Sequence, residues 1–146
     1  LPAGFTVNAL IHVQEDELYP CYLAAFRAGD SKLFFKQGQT KQREFFETLA
    51  FDQARNEPGS LVIMKEDQII GFTYLVPYGE TNRHISCMCV HPDFQRQGLG
   101  SFMLEYAKNE AYSQGYRSIT LWTEAAMGAF ELYRKHGFMI TEEKAL

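Results

Sequence analysis

Gly98 and Gly100 stand two apart in Gln95-Arg96-Gln97-Gly98-Leu99-Gly100, directly after a strand-like run and at the head of a segment with helical apolar spacing. Glycines at such a turn let a ligand approach the main chain with no Cβ in the way. The first turn of a helix leaves its amides without carbonyl partners and carries partial positive charge, so the turn is prepared for a phosphate or pyrophosphate. Arg96 adds a mobile positive charge. Two other phosphate signatures fit poorly: the dinucleotide pattern requires a third glycine where Met103 stands, and the Gly-Lys-Ser/Thr ending of a P-loop is missing. On the glycines alone, a tight strand-to-helix connection with no ligand explains the turn equally well.

A second group of chemically capable residues, Cys87, Cys89 and His91, projects to one side of a strand. A structural zinc site takes four ligands at recognisable spacings. The expectation is therefore small buried side chains and no metal. Three cysteines, Cys21 being the third, cannot all pair internally, which fits reduced thiols in a cytoplasmic protein. Lys plus Arg number 14 against 18 Asp plus Glu, and a net charge of −4 supplies no footprint for a nucleic-acid backbone. The longest apolar stretches, such as 69–76, are strand-sized and far short of a membrane span. The opening Leu1-Pro2-Ala3-Gly4 has neither a basic start nor an apolar signal core. A chain opening on Leu reads as a segment, which leaves room for a neighbouring domain.

The elements that must position the turn follow from periodicity. With 146 residues, 46% of them hydrophobic, the chain fills one core and one domain, residues 1–146. Phe5–Ile11 reads as a strand, and Leu18, Cys21, Tyr22, Ala25 and Phe26 give a helix over 15–28, with Pro20 near its start and the acidic Glu15-Asp16-Glu17 favouring its dipole. A second helix is expected over 40–55, capped by Thr40 and ended by Glu57-Pro58-Gly59. Leu61–Lys65 and Ile69–Val76 flank a hairpin turn, Pro77-Tyr78-Gly79 breaks the chain, and Arg83–His91 completes an antiparallel meander. A helix follows from Leu99 to the break at Gln114-Gly115, then a strand at Arg117–Thr123, a helix at Ala125–His136 closed by Gly137, and Phe138–Thr141. The class is α+β, with a parallel crossover after the meander.

The neighbours of the glycines break the tie. The run Val90-His91-Pro92-Asp93-Phe94-Gln95-Arg96-Gln97-Gly98-Leu99-Gly100 strongly resembles the acyl-CoA signature of the GNAT superfamily of N-acyltransferases. Ala129-Phe130-Glu131-Leu132-Tyr133-Arg134-Lys135-His136-Gly137-Phe138 resembles that family's Ala-x-x-x-Tyr-x-x-x-Gly-Phe element, at the expected separation. The resemblance implies three layers, α/β/α, around a mixed, largely antiparallel sheet of six to seven strands splayed between the fourth and fifth. It divides the chain into an acyl-CoA-binding core over about 61–140 and a variable acceptor-side part over about 1–60. It implies acetyl-CoA as co-substrate, no metal, and transfer to a primary amine of a small molecule or peptide in a ternary complex. The residues it assigns to the acyl carrier are Met88, Cys89, Val90, Gln95, Arg96, Gln97, Gly98, Leu99, Gly100, Ser101, Ala129, Phe130 and Tyr133, with the Val90 N–H on the thioester carbonyl.

For catalysis the resemblance favours Tyr133 as general acid toward the departing thiolate; helical spacing alone would make it a core tyrosine. Two departures stand out. The family often has Asn where Ala126 stands, and often a glutamate base at the position of Ser86, a neutral side chain here. His84, Glu80 and Asp93 are the alternative bases, beside a water relay with no dedicated base. His84 shares alternation parity with Ser86, Met88 and Val90, whereas Cys87 and Cys89 have the opposite parity. A noncatalytic acyl-CoA-binding domain, or one half of a tandem acetyltransferase, is the competing function. A final strand supplied by another subunit would make a homodimer.

Overall fold

The computed structural model describes residues 1–28, 38–122 and 129–139. In chain order these form β1 (Phe5–Ala9), a 3-10 turn (Leu10–His12), α1 (Glu15–Ala28), α2 (Gln39–Glu47), α3 (Phe51–Ala54), β2 (Leu61–Lys65), β3 (Gln68–Tyr78), β4 (Asn82–Val90), a second 3-10 turn (Pro92–Phe94), α4 (Leu99–Ser113), β5 (Ser118–Leu121) and α5 (Ala129–Lys135). The strands make one sheet in the order β1-β2-β3-β4-β5. The first four are antiparallel neighbours, and β5 joins β4 in parallel after the α4 crossover.

Both faces of the sheet are covered because its strands carry apolar side chains on both. On one face Leu18, Cys21, Tyr22 and Ala25 of α1, with Phe46, Phe51 and Ala54, pack on Val62, Phe72, Tyr74, Cys87 and Cys89. On the other, Leu99 and Met103 of α4 pack on Leu61, Ile63 and Ile70, while Leu104 and Ala107 meet Leu75, Ile85 and Tyr133 of α5. Each fully buried large side chain contributes about 1.5–3 kcal/mol. The result is the expected α/β/α layering with a mixed, mainly antiparallel sheet. No helix among the described residues is long and apolar enough to cross a membrane.

Several local expectations are corrected. The single helix over 40–55 is two, because Ala50 adopts a left-handed conformation (φ 67°) between α2 and α3. The break has a packing reason: residues 46 and 51 would point about 140° apart on one continuous helix, yet Phe46 and Phe51 enter the same cluster. Thr40 lies inside α2, whose N-cap is Gly38. Pro20, expected near the start of α1, sits in its second turn, and the helix runs past it with one fewer donor. β3 continues through Pro77 and Tyr78. The sheet has five strands among the described residues rather than six to seven. Phe138 and Met139 are not in a strand, and Ile140 and Thr141 lie outside the described residues, as do Thr123 and residues 125–128 of the expected last helix.

Candidate functional site

The far half of β4 is the first component. Pairing of β4 with β5 runs from Asn82↔Ser118 to Ile85↔Leu121 and stops. Beyond it, Ser86 to Val90 have β3 on one side and no strand partner on the other among the described residues. The His91 N–H donates to the Ile70 carbonyl at 2.7 Å, so the facing pair Val90↔Gly71 is a non-hydrogen-bonded one. By the same alternation, the main-chain groups of Met88 and Val90 point away from β3 into the open edge, and those of Cys89 point toward β3. The Val90 carbonyl accepts from Gln95 Nε2 at 3.2 Å, which ties the strand end to the following turn.

A β-bulge changes which side chains flank that edge. Tyr74 faces Cys87 while Leu75 faces Ile85, so Ser86 is an extra residue in β4. Ile85 consequently packs with α4, whereas Cys87 and Cys89, of the same parity, pack with α1. Met88 and Val90 lie on the α4 side. The shared parity of His84 and Ser86 with Met88 and Val90 is thus overturned. His84 bonds Thr120 Oγ1 through Nδ1 at 2.8 Å, opposite the neighbouring Ile119 and Leu121 that pack toward α4, and Ser86 Oγ donates to the Leu49 carbonyl at 2.7 Å. Both face the α1 layer.

The glycine turn is the second component. Gly98 caps α4 with φ 81°, and Arg96 holds φ 64°, a conformation that costs a side-chain-bearing residue energy and recurs where a loop cradles a ligand. A Cβ at Gly98 would meet nothing within 4 Å, so the space before the turn is open. The first helical bond is Phe102 N–H to the Gly98 carbonyl; among the described residues the N–H groups of Gln97 to Ser101 donate to no backbone carbonyl. These are free donors at a positive helix end, with Gln95, Arg96, Gln97 and Gly98 exposed beside them and Leu99 buried as anchor. The turn fits an anionic diphosphate. A Cβ at Gly100 would come within 2.8 Å of Leu132 Cδ2, so this second glycine sets how closely α5 approaches α4.

The third component is α5. Tyr133 is buried against Leu75, Ile85, Leu104 and Ala107, with Met88 in the same cluster and Phe138 at 6.0 Å between ring centroids. Burial pushes its phenol well above the usual range, so it stays protonated at neutral pH. Gly137 (φ 92°) closes the helix as expected, with Gly137 N–H on the Arg134 carbonyl and Phe138 N–H on that of Tyr133. The side chain of His136, unremarked in the sequence, reaches back to α4: Nε2 is 3.0 Å from Ser101 Oγ and Nδ1 is 2.8 Å from Glu105 Oε1. Ser101 and Glu105, four apart on a helix, share a face.

The model of the acetyltransferase (GNAT) family matches residues 16–138. The chain belongs to the GNAT acetyltransferase family. Human cysteine-rich protein 2-binding protein is 34% identical over 60% of this chain, and the amino-acid acetyltransferase of Shewanella oneidensis is 31% identical over 59%. The matched parts span only 11% and 19% of those relatives' lengths. Among solved structures, PH1933 from Pyrococcus horikoshii OT3 superposes with a TM-score of 0.75 at 20% identity, covering 97% of this chain and 92% of its own. A GNAT family acetyltransferase from Brucella melitensis, crystallised in complex with acetyl-CoA, has a TM-score of 0.67 at 19% identity, covering 93% and 83%.

Within this GNAT fold, Met88, Val90, Gln95–Ser101 and Tyr133 come together along the α4 side of the open edge. Cys89 does not: its side chain is in the α1-side core, and burial with hydrogen bonding to Cys21 and Cys87 pushes its thiol up. Ala126 lies outside the described residues, as do the side chains of Ala129 and Phe130. His84 is six residues from Val90, roughly 20 Å along a strand, and on the other face. Desolvation lowers its pKa, which keeps it neutral, but distance removes it from direct proton transfer at Val90. Glu80 and Asp93 are exposed. No group of three His, Cys, Asp or Glu among the described residues is arranged to hold a metal ion, and His91 Nδ1 instead accepts from the Asp93 N–H.

Proposed function

We propose that the chain is an N-acetyltransferase that moves the acetyl group of acetyl-CoA to a primary amine of a small molecule or peptide while both substrates are bound. The observation that carries this is the adjacency of two sets of backbone groups without partners among the described residues: the open β4 edge at Met88 and the Val90 N–H, and the free N–H groups of Gln97 to Ser101. Family membership and the relative crystallised with acetyl-CoA support the same reading.

Acetyl-CoA supplies an acyl thioester. The turn 97–101 and Arg96 hold its diphosphate, and the main-chain groups of Met88 align its amide-bearing arm. The Val90 N–H polarises the thioester carbonyl for attack by a neutral amine. As the new C–N bond forms and the C–S bond breaks, Tyr133 gives its phenolic proton to the thiolate and recovers one from water. The ammonium proton leaves through water, because neither Ser86 nor His84 offers a base within direct reach.

The test is thermal unfolding with and without acetyl-CoA, with NAD and ATP as controls. At about a hundred times its dissociation constant, acetyl-CoA adds about 2.7 kcal/mol and raises the midpoint by several degrees. No shift, or an equal shift with ATP, overturns the proposal. A noncatalytic acyl-CoA-binding module is the second reading, favoured by Ser86, whose hydroxyl is engaged with Leu49 and carries no charge. Release of free CoA on adding amines separates the two, since only a transferase produces it.

A further inference from the structure

The β4–β5 ladder is short for the boundary it sets. Four pairs join the strands, from Asn82↔Ser118 to Ile85↔Leu121, and none of the four β5 residues is buried. β5 is the outermost strand of the sheet, with no partner on its other side among the described residues. Alternation protects such a strand against a slip of one residue, which would turn Ile119 and Leu121 away from α4. It does not protect against a slip of two, which keeps every β5 side chain on its face. That slip along β4 would bring Ser118 opposite His84, Leu121 opposite Cys87 and Trp122 opposite Met88. The edge proposed to receive the acyl carrier would then be covered by the chain itself.

Contacts at the other end of the ladder discriminate between the two registers. Arg83 is 7% exposed, and its Nε donates to Glu57 Oε2 at 3.1 Å while Nη1 donates to the Asn82 carbonyl at 2.9 Å. Its Nη2 donates to the Tyr116 hydroxyl, and its guanidinium carbon is 3.4 Å from the centroid of the Tyr116 ring. Beside this stack the Arg117 N–H donates to the Thr81 carbonyl at 2.7 Å, and the Ser118 hydroxyl donates to Asn82 Oδ1. These contacts tie residues 81–83 to residues 116–118, the approach to β5 and its first residue. A slip of two would carry that segment about 7 Å along β4 and break them together. It would also leave a buried guanidinium with donors unpaired, a costly state for a charge that only its partners make tolerable.

We propose that Arg83 is a positioning residue for the acyl carrier: with Tyr116 it pins the register of β5 on β4, so that β5 stops at Ile85 and leaves the Met88 edge free. This rests on the acetyl-CoA reading above. Arg83 lies on the closed half of the ladder, touches no substrate, and acts through β5.

Tyr116 is partly exposed between α4 and β5, so Tyr116→Ala removes ring and hydroxyl without opening the core. Amide hydrogen exchange reads the register, and calorimetric titration with acetyl-CoA reads whether the edge is free. In the wild type the Met88 N–H exchanges as an open-edge amide, and acetyl-CoA slows it. In Tyr116→Ala the same N–H becomes protected without ligand. Acetyl-CoA then binds about tenfold more weakly, as expected when a desolvated cation–ring contact is lost and the competent register falls to a minority. The kcat at saturating acetyl-CoA is unchanged, since the bound protein holds the competent register. Tyr116→Phe keeps the ring and recovers most of the affinity. Arg83→Lys keeps a charge against Glu57 but not the planar stack, and moves both readouts in the same direction. A merely structural contact would lower the unfolding midpoint and leave the Kd of the folded protein as it is. Wild-type Kd in both Tyr116→Ala and Arg83→Lys overturns the inference, as does weakened binding with Met88 exchange unaltered. Absence of acetyl-CoA binding by the wild type overturns the acetyl-CoA reading itself.

Discussion

The two faces of the sheet are built differently. Toward α1 one continuous cluster runs from Leu10 to Cys89 and includes Tyr22, Phe46, Phe72 and Tyr74, each with almost no exposed surface. Toward α4 the buried residues divide into two smaller clusters, and Met88 touches both. Among the described residues, the main-chain groups that lack partners, at Met88, the Val90 N–H and the glycine turn, border this divided side. The larger buried cluster is on one face, while the other leaves backbone groups without partners where the acyl carrier is proposed to dock. On that proposal the α1 side serves as foundation and the α4 side as workplace.

Substitutions that trade one face against the other test this division. The largest effect is expected for Gly98→Trp, which fills the open space before the turn and abolishes acetyl-CoA binding by calorimetry. Gly115→Trp is its control: Gly115 also has positive φ (88°) and nothing within 4 Å of a Cβ, but lies at the other end of α4. It suffers the same backbone strain and binds normally. If both lose binding, strain and not the cradle is responsible. Tyr133→Phe is expected to lower kcat by about 10²–10⁴-fold with the Kd for acetyl-CoA unchanged, the range for loss of a general acid. An unaltered kcat would return Tyr133 to a purely packing role.

On the α1 face, Phe46→Ala removes a ring tilted against both Tyr19 and Tyr22, 4.9 Å from each, and costs about 3–5 kcal/mol in urea unfolding. The folded fraction should bind acetyl-CoA as the wild type does, and a changed Kd would mean that the two faces are not separable. The smallest effect concerns His84, whose pKa is lowered by burial. The unfolded chain binds its proton first, so the neutral ring's contribution is present above about pH 6.5 and is lost as pH falls through that value toward the depressed folded one. His84→Gln flattens this part of the stability profile and leaves acetyl transfer intact. A collapse of transfer would restore His84 as a base.

The glycine turn and the Tyr133–Gly137 element were legible because their chemistry is local: consecutive residues, read in order, define an unsatisfied helix end and a left-handed cap. The helix 15–28 and the strand 61–65 were legible for the same reason, from apolar spacing alone. Ser86 was not. Alternation assumes an unbroken period of two, and the extra residue is fixed by how β3 registers against β4. The break at Ala50 was hidden too, since alanine is the strongest helix former and non-glycine residues seldom adopt positive φ. Nor could the His136–Ser101 contact be foreseen, because it joins residues 35 apart on two helices.

If Ser86 took a regular place in the alternation instead of bulging out of it, Cys87 and Cys89 would share the face of Ile85, the side where the thioester is proposed to lie. A thiol beside a thioester exchanges with it, so the proposed transfer would have an acceptor within the chain itself. Seen this way, the bulge at Ser86 acts as chemical insulation: it keeps two thiols behind the sheet and leaves the proposed amine without an internal competitor.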